Sequence, residues 1–373
     1  MQYRDMGRTG FRISALGFGA MRLPKRQGSE DLDEDLSIAM LRRAFERGVN
    51  YVDTAYMYCG GQSERIVGRA LKGWRDRVRL STKSPIWDMK SRKEFRDKLD
   101  EQLRKLDTDH VDFYHFHGLG EKSWQEKVLA LGLLDEMARL RDEGLIRFAS
   151  FSFHDKPEVM KTFVDSGAFS SVLCQYNVID RANEDAMAYA SEKGLGVVVM
   201  GPFGGGRLGA PAGFVETALP GGRRTPEIAL RFVLANPSVS CALSGMSAME
   251  QVEENIAVAS DPNPLSAEEY RAVRELSASR KRLAELYCTG CAYCMPCPHE
   301  VNIPVCFESM IQHKVYGITD SAVSRYRSIG SDWTKGKRAD ACVECGECEA
   351  RCPQKIPIRA QLKEVAAELG PRL

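Results

Sequence analysis

Short apolar or β-branched runs alternate with longer segments of helical period along the first two-thirds of the chain. Ala15–Gly19, Tyr51–Asp53, Val78–Lys83, Val111–Phe116, Arg147–Ser152, Val172–Gln175, Gly196–Met200 and Ser240–Leu243 predict eight strands. Amphipathic segments between them, among them Leu36–Arg47, Glu64–Lys72, Lys93–Leu106, Leu131–Glu143 and Thr225–Leu234, predict helices. The last opens Thr225-Pro226-Glu227, a capping residue followed by proline at the first helical position. Eight strands, each followed by a helix, are the pattern of a (β/α)8 TIM barrel. A doubly wound sheet would carry Gly-x-Gly-x-x-Gly after its first strand. Leu16-Gly17-Phe18-Gly19-Ala20-Met21 has only two of those glycines.

The pattern changes near residue 265. The turn-rich run Ser260-Asp-Pro-Asn-Pro-Leu-Ser-Ala267 precedes a charged helical stretch, Glu268–Leu286. Cysteine usage changes with it. Of 12 cysteines only Cys59, Cys174 and Cys241 lie before residue 288, and the rest crowd the C-terminal part. The organisation expected is an α/β barrel over 1–265, a linking helix over 266–286, and a small, mainly helical cysteine-rich domain over 287–373.

Composition narrows the function classes. There are 52 Lys and Arg against 51 Asp and Glu, a formal net charge of +1. Such balance gives no electrostatic pull towards nucleic acid or an anionic membrane. No apolar run approaches the roughly 20 residues that span a bilayer. The start, Met1-Gln-Tyr-Arg-Asp-Met-Gly-Arg8, is charged and predicts no signal peptide. The expected location is cytoplasmic. In a reducing compartment clustered cysteines hold metal more often than they form disulfides.

In a TIM barrel the chemistry sits at the C-terminal strand ends. Those ends carry Asp53, Lys83 and His117 on consecutive strands, and Tyr58 follows Asp53 in the loop Thr54-Ala-Tyr-Met-Tyr-Cys-Gly-Gly61. A carboxylate paired with the lysine would fix it, and an ammonium beside a phenol lowers the phenol's pKa. That predicts a Tyr58 able to protonate a carbonyl oxygen near neutral pH, with His117 orienting the carbonyl. Each residue also has an ordinary reading: a rim salt bridge, a packed aromatic, a core histidine. Neighbouring His115 is expected to be a satisfied core residue, and Cys59 a packing residue. The run Gly204-Gly205-Gly206 reads equally as a phosphate nest or a flexible loop.

Residues 1 to about 260 resemble the aldo/keto reductase family. Arg4-Asp-Met-Gly-Arg-Thr-Gly10 and Ser14-Ala-Leu-Gly-Phe-Gly-Ala-Met-Arg22 are similar to its closing hairpin and first strand. Asn50-Tyr-Val-Asp-Thr-Ala-Tyr-Met-Tyr58, Leu80-Ser-Thr-Lys83 and Asp112-Phe-Tyr-His-Phe-His117 resemble the motifs that carry its catalytic Asp, Tyr, Lys and His. The resemblance implies NADPH or NADH lying extended across the barrel mouth, without a Rossmann domain. It places Gly19, Ala20 and Met21 on the cofactor, with Ser152 and Gln175 at the carboxamide. It also places Met200 on the nicotinamide ring, Gly201, Pro202 and Phe203 over the pyrophosphate, and Gly245, Ser247, Gln251, Glu254 and Asn255 around the adenosine. Phe153 stands where the family often has asparagine, and Met200 where it often has an aromatic. The segment Ser244–Gln251 lacks the Lys or Arg that the family directs at the 2′-phosphate of NADPH. This weakens an NADPH preference, unless Arg223 or Arg224 supplies the charge.

The tail has two cysteine runs. The second, Cys342-Val-Glu-Cys-Gly-Glu-Cys-Glu-Ala-Arg-Cys-Pro353, is a full Cys-x2-Cys-x2-Cys-x3-Cys-Pro signature for a [4Fe–4S] cluster. The first, Cys288-Thr-Gly-Cys-Ala-Tyr-Cys-Met-Pro-Cys-Pro298, has two residues before its last cysteine. In two-cluster ferredoxins the fourth cysteine of each run ligates the other cluster. That rule assigns Cys288, Cys291, Cys294 and Cys352 to one [4Fe–4S] cluster, and Cys342, Cys345, Cys348 and Cys297 to a second. The tail thus resembles a helical variant of the ferredoxin family. Zinc ribbons also use Cys-x2-Cys pairs, but do not need the third and fourth cysteines or the proline. Cys306 is left over, as a packing residue or a substitute for Cys297.

The combination predicts an NAD(P)H-dependent oxidoreductase that reduces a small carbonyl compound and carries two [4Fe–4S] clusters. The alternative is an electron-transfer or redox-sensing protein built on a retired barrel. Hydride transfer moves two electrons together, whereas each cluster passes one. Flavin usually bridges that gap, and no flavin fingerprint is present. The clusters are therefore expected to couple through another cofactor or a redox partner protein, or to serve a structural or sensing role.

Overall fold

Eight strands pair in parallel and close on themselves, in a computed structural model that describes residues 1–373 apart from 30, 210, 220, 289–291, 293 and 353–355. An N-terminal antiparallel hairpin, β1 (Tyr3–Asp5) and β2 (Arg12–Ser14), precedes them. The barrel strands are β3 (Leu16–Gly19), β4 (Tyr51–Asp53), β5 (Arg79–Pro85), β6 (Val111–Leu119), β7 (Ile146–Phe153), β8 (Ser171–Gln175), β9 (Gly196–Met200) and β10 (Cys241–Ser244). They are joined in sequence order, and β10 pairs with β3 to complete the ring. Each expected strand is present, with ends shifted by a residue or a few.

Alternation along β6 shows how one strand serves two layers. Tyr114 and Phe116 face the helices, where both rings lie 5.4 Å from Phe95 of helix Arg92–Leu106. Phe113 faces inward and joins Met6, Ile13, Tyr51, Leu173, Val198 and Cys241 in an apolar plug at the N-terminal end of the barrel. The hairpin feeds this plug, with Phe11 edge-on to Phe113 and Phe148. Its turn is fixed by Gly7 at φ +53°, where a Cβ would lie 2.3 Å from the Gly194 carbonyl oxygen. Because the plug fills one end, the polar side chains of the strands collect at the other.

Contacts divide the chain into two compact units: Met1–Gly204 with Ala229–Ser266, and Gly205–Ile228 with Ala267–Leu373. The second is helical. Helices Ile303–Lys314, Thr319–Arg327 and Ile358–Leu369 pack around Val301, Cys306, Phe307, Met310, Tyr326 and Leu362. Asn302 caps the first of these, accepting a hydrogen bond from Val305 N at 3.3 Å. Among the described residues no helix is long and apolar enough to cross a membrane.

Candidate active site and cluster-binding region

Parallel closure brings the C-terminal ends of all eight strands to one mouth, and with them the residues expected there. Lys83, 1% exposed, donates hydrogen bonds to the Asp53 carboxylate and, at 2.8 Å, to the Thr54 carbonyl oxygen. Ser81, two residues earlier on the same face of β5, donates to the other Asp53 oxygen at 2.7 Å. Burial disfavours the Lys83 ammonium, but Asp53 and Tyr58 more than offset it and hold the lysine above its ordinary pKa. The ammonium sits 4.6 Å from the centre of the Tyr58 ring. That ring meets His117 edge-on at 5.8 Å, and the Trp87 ring lies tilted 5.4 Å from the imidazole. Asp53, Lys83, Tyr58 and His117 therefore form one constellation.

The Tyr58 phenol departs from expectation. Burial raises its pKa above the ordinary value and outweighs the lowering by Lys83, while Asp53 raises it further. The ammonium does act in the expected sense, but on a phenol already taken out of water. His117 is pushed down to about 3, first by burial, then by Lys83 and by His154. It is a neutral imidazole at physiological pH, and its Nδ1 has no partner among the described residues.

Local geometry explains why Tyr58 stands there. Cys59 at φ 53° and Gly60 at φ 63° turn the chain in the left-handed region immediately after it. Ser63 then anchors the loop, donating to the Ala20 carbonyl oxygen at 2.8 Å, with Thr54 Oγ1 2.7 Å from its hydroxyl. The Cys59 thiol lies 3.5 Å from the Met21 carbonyl oxygen and 3.7 Å from that of Ala20, so it packs against the end of β3.

The residues expected around a cofactor line the same mouth. Gly19 ends β3 and Ala20 and Met21 follow it, Ser152 ends the inward face of β7, and Gln175 and Met200 end β8 and β9. Ser152 Oγ accepts from Gly118 N at 2.8 Å. Gly201 has φ +65°, and a Cβ there would lie 2.7 Å from Gln175 Oε1, so the turn into Pro202 and Phe203 leaves an uncovered edge beside Gln175. After β10, Ser247 N donates to Gln251 Oε1 at 2.8 Å, and Asn255 donates to Ser244 Oγ at 3.0 Å, near Gly245 and Glu254. This backbone cradle fits an extended dinucleotide. Arg223 donates a hydrogen bond to Glu269 at 2.6 Å.

Three neighbours were not singled out by the sequence. Arg22 runs along the loop after β10: a Cβ on Gly245 would touch Arg22 Cβ at 3.7 Å and Cδ at 3.9 Å. His154, just past β7, is held below its ordinary pKa by partial burial and by Lys83. Ser81 could have been found from its two-residue spacing to Lys83; the other two depend on barrel closure.

In the cysteine-rich unit Cys297, Cys342, Cys345 and Cys348 line one hollow, with Val301 and Leu362 among its walls. Cys288 and Cys294 pack on the same apolar core that buries Cys352. Cys291 lies outside the described residues. The cysteines supply thiols, the usual donors to an iron–sulfur cluster, and His299 and Glu344 also line the hollow. Among the described residues no three Cys, His, Asp or Glu side chains are already gathered into a metal-holding group. Cys306 is fully buried in that core, and burial pushes its thiol up to about 12.

The aldo/keto reductase family model matches residues 15–278, and a 4Fe-4S dicluster domain model matches residues 287–356. The chain is an aldo/keto reductase. It is 30% identical over 297 residues to L-galactose dehydrogenase of Arabidopsis thaliana, covering 72% of this chain and 91% of the relative. It is 26% identical over 311 residues to the NADH-specific methylglyoxal reductase of Escherichia coli, covering 69% and 93%. An aldo/keto reductase of Klebsiella pneumoniae in complex with NADP and acetate superposes with a TM-score of 0.63 at 26% identity, covering 74% of this chain and 96% of that one. This aldo/keto reductase is thus an NAD(P)-dependent oxidoreductase with iron–sulfur centres.

Proposed function

We propose that the barrel reduces an aldehyde or ketone, with Tyr58 as the general acid, and that the tail holds two [4Fe–4S] clusters. The observation that carries the reading is the single constellation of Lys83, Asp53, Tyr58 and His117 at the barrel mouth. A nicotinamide cofactor bound there supplies a hydride. The raised pKa keeps Tyr58 protonated and ready to give its proton to the oxygen that gains negative charge. Lys83, fixed by Asp53, keeps a positive charge beside the phenol and stabilises it as the proton leaves. Neutral His117 offers a hydrogen bond to the same oxygen without competing as an acid. The intact buried pair speaks against a retired barrel.

The cofactor is NADPH or NADH, with a weaker NADPH preference than the family's usual one, since Ser244–Gln251 carries no base. Gly19, Ala20, Met21, Ser152, Gln175, Met200, Gly201, Pro202, Phe203, Gly245, Ser247, Gln251, Glu254 and Asn255 would hold it. Cys297, Cys342, Cys345 and Cys348 would ligate one cluster, and Cys288, Cys291, Cys294 and Cys352 the other. The Cys-x2-Cys-x2-Cys-x3-Cys-Pro spacing of 342–353 suits a cluster better than a single zinc ion. The domains read as barrel over 1–265, linking helix over 266–286 and cluster domain over 287–373. The partners are a small carbonyl compound and a redox protein, with neither nucleic acid nor membrane, in the cytoplasm.

Tyr58→Phe tests the chemistry. It should abolish carbonyl reduction while leaving cluster colour and NAD(P)H binding nearly intact; retained turnover removes Tyr58 from the acid role. Anaerobic mixing with NADH or NADPH alone tests the coupling. Bleaching of the cluster absorbance means that barrel and clusters exchange electrons; unbleached clusters beside active carbonyl reduction mean a structural or sensing role, or a potential too low for the nicotinamide to reduce.

A further inference from the structure

The barrel interior beside Lys83 is polar where such barrels are normally filled with branched apolar side chains. Strand register puts Lys83 of β5 level with His115 of β6, His115 level with Ser150 of β7, and Ser150 level with Ser171 of β8. All four are buried, with His115, Ser150 and Ser171 wholly inaccessible. All four point inward. His115 lies between inward-facing Phe113 and His117 on its strand, while Phe151 beside Ser150 packs outward on Phe163 and Phe169. A polar row thus crosses four consecutive strands just inside the proposed active site.

His115 was expected to be a satisfied core histidine; the Phe151 main chain is within reach as a hydrogen-bond partner, and neither ring nitrogen has a side-chain partner among the described residues. Ser150 and Ser171 hydroxyls lie 2.6 Å apart and bond one another. Burial pushes His115 down to about 3, helped by the Lys83 charge and by His117, while a hydrogen bond with the Phe151 main chain acts in the opposite sense. The ring is therefore neutral, with one donor and one acceptor nitrogen in a sealed interior. An unpartnered buried polar group costs free energy that leucine at the same position would not. Buried polar groups of this kind hold ordered water.

We propose that His115 is a positioning residue which, with Ser150 and Ser171, holds ordered water beside Lys83 and sets the protonation balance between Lys83 and Tyr58. The row supplies dipoles next to an ammonium whose main penalty is loss of solvent. Lys83 from β5 and His117 from its own strand are the titratable groups facing His115. Asp53 and Tyr58 follow through Lys83, and Ser150 and Ser171 carry no charge. Without the row Lys83 is less well solvated, the Tyr58 phenolate is less well supported, and the phenol titrates higher. This rests on Tyr58 as the acid, but its test needs no turnover.

Tyrosinate absorbance, titrated in the full cluster-loaded chain with the Tyr58→Phe trace subtracted, reads the phenol directly. His115→Leu should move the Tyr58 titration up by about half a pH unit or more. His115→Gln, which keeps a donor and an acceptor, should restore it. A crystal structure should show water within hydrogen-bond distance of a His115 ring nitrogen. A Tyr58 titration that His115→Leu leaves in place overturns the proposal, as do dry ring nitrogens. Should His115→Leu fail to fold, Ser150→Ala with Ser171→Ala must produce the same upward shift, and an unmoved titration there overturns it. Failure of the wild type to reduce any carbonyl would count against the proposed reaction and leave these readouts standing.

Discussion

Lys83 and Asp53 form a buried ion pair across adjacent strands, and each is also tied to a second group: Lys83 to the Thr54 carbonyl, Asp53 to the Ser81 hydroxyl. Replacing a buried pair by matched apolar residues can be neutral, but removing one partner strands the other charge. Asp53→Asn keeps the shape and leaves the Lys83 ammonium without its carboxylate. It should lower stability by about 3–5 kcal/mol, read from urea unfolding at pH 7, and cut carbonyl reduction severely. An Asp53→Asn protein as stable as wild type would mean that Lys83 is not held as a charged partner.

Glu64 supplies a pH signature of opposite sign to the usual carboxylate. It is fully buried in the layer behind β5, where Oε1 accepts from Thr82 at 2.7 Å and Gln102 at 2.6 Å, and Oε2 has no partner among the described residues. Burial raises its pKa despite those two bonds. The folded state therefore holds the proton more tightly than the unfolded one, and stability falls as pH rises from the ordinary carboxylate range through the raised value. Glu64→Gln should raise Tm at pH 7 to 8, and the gain should vanish below about pH 4, where both states are protonated. A gain independent of pH would assign the effect to packing.

The barrel was legible because its signals are local. Strand runs, helical periods and ionisable residues at strand ends lie within a few positions of one another, and Asp53, Tyr58, Lys83 and His117 could be picked out before any pairing was known. The cysteine spacing of 342–352 is local in the same way. Depth and closure were not legible. Tyr58 reads as a phenol lowered by Lys83 until its burial is seen to win. Lys83, His115, Ser150 and Ser171 look unrelated along the chain and become a row only through strand register.

Arg22 is a second consequence of closure, because β3 and β10 are neighbours only where the ring is sealed. Its side chain lies against Gly245, in the loop expected to hold the adenosine end of the cofactor. A cation there would compensate in part for the missing base in Ser244–Gln251 if the cofactor's 2′-phosphate reaches it. Arg22→Met should weaken NADPH binding tenfold or more, the loss of a charge-assisted hydrogen bond of about 1.5–3 kcal/mol, and leave NADH nearly unchanged. Titration of cofactor fluorescence without substrate separates the two. Equal losses for both cofactors would move Arg22 to the shared pyrophosphate.

The cysteine-rich unit makes the ligand assignment testable one thiol at a time. Cys297 belongs to the first cysteine run by sequence, yet it lines the hollow of Cys342, Cys345 and Cys348 from the second. Cys352 belongs to the second run and is buried in a core that also holds Cys348 and on which Cys288, Cys294, Cys297 and Cys342 all pack, so its partner cluster rests on the crossed-ligation rule. Loss of one thiolate damages the cluster it ligates and leaves the other, whichever run it comes from. Cys352→Ser should therefore impair the cluster of Cys288 and Cys294, and Cys297→Ser the cluster of Cys342, Cys345 and Cys348. EPR of the dithionite-reduced proteins distinguishes them: under crossed ligation Cys352→Ser and Cys345→Ser remove different signals, while Cys297→Ser and Cys345→Ser remove the same one. If Cys352→Ser and Cys345→Ser abolish the same signal, each run serves its own cluster.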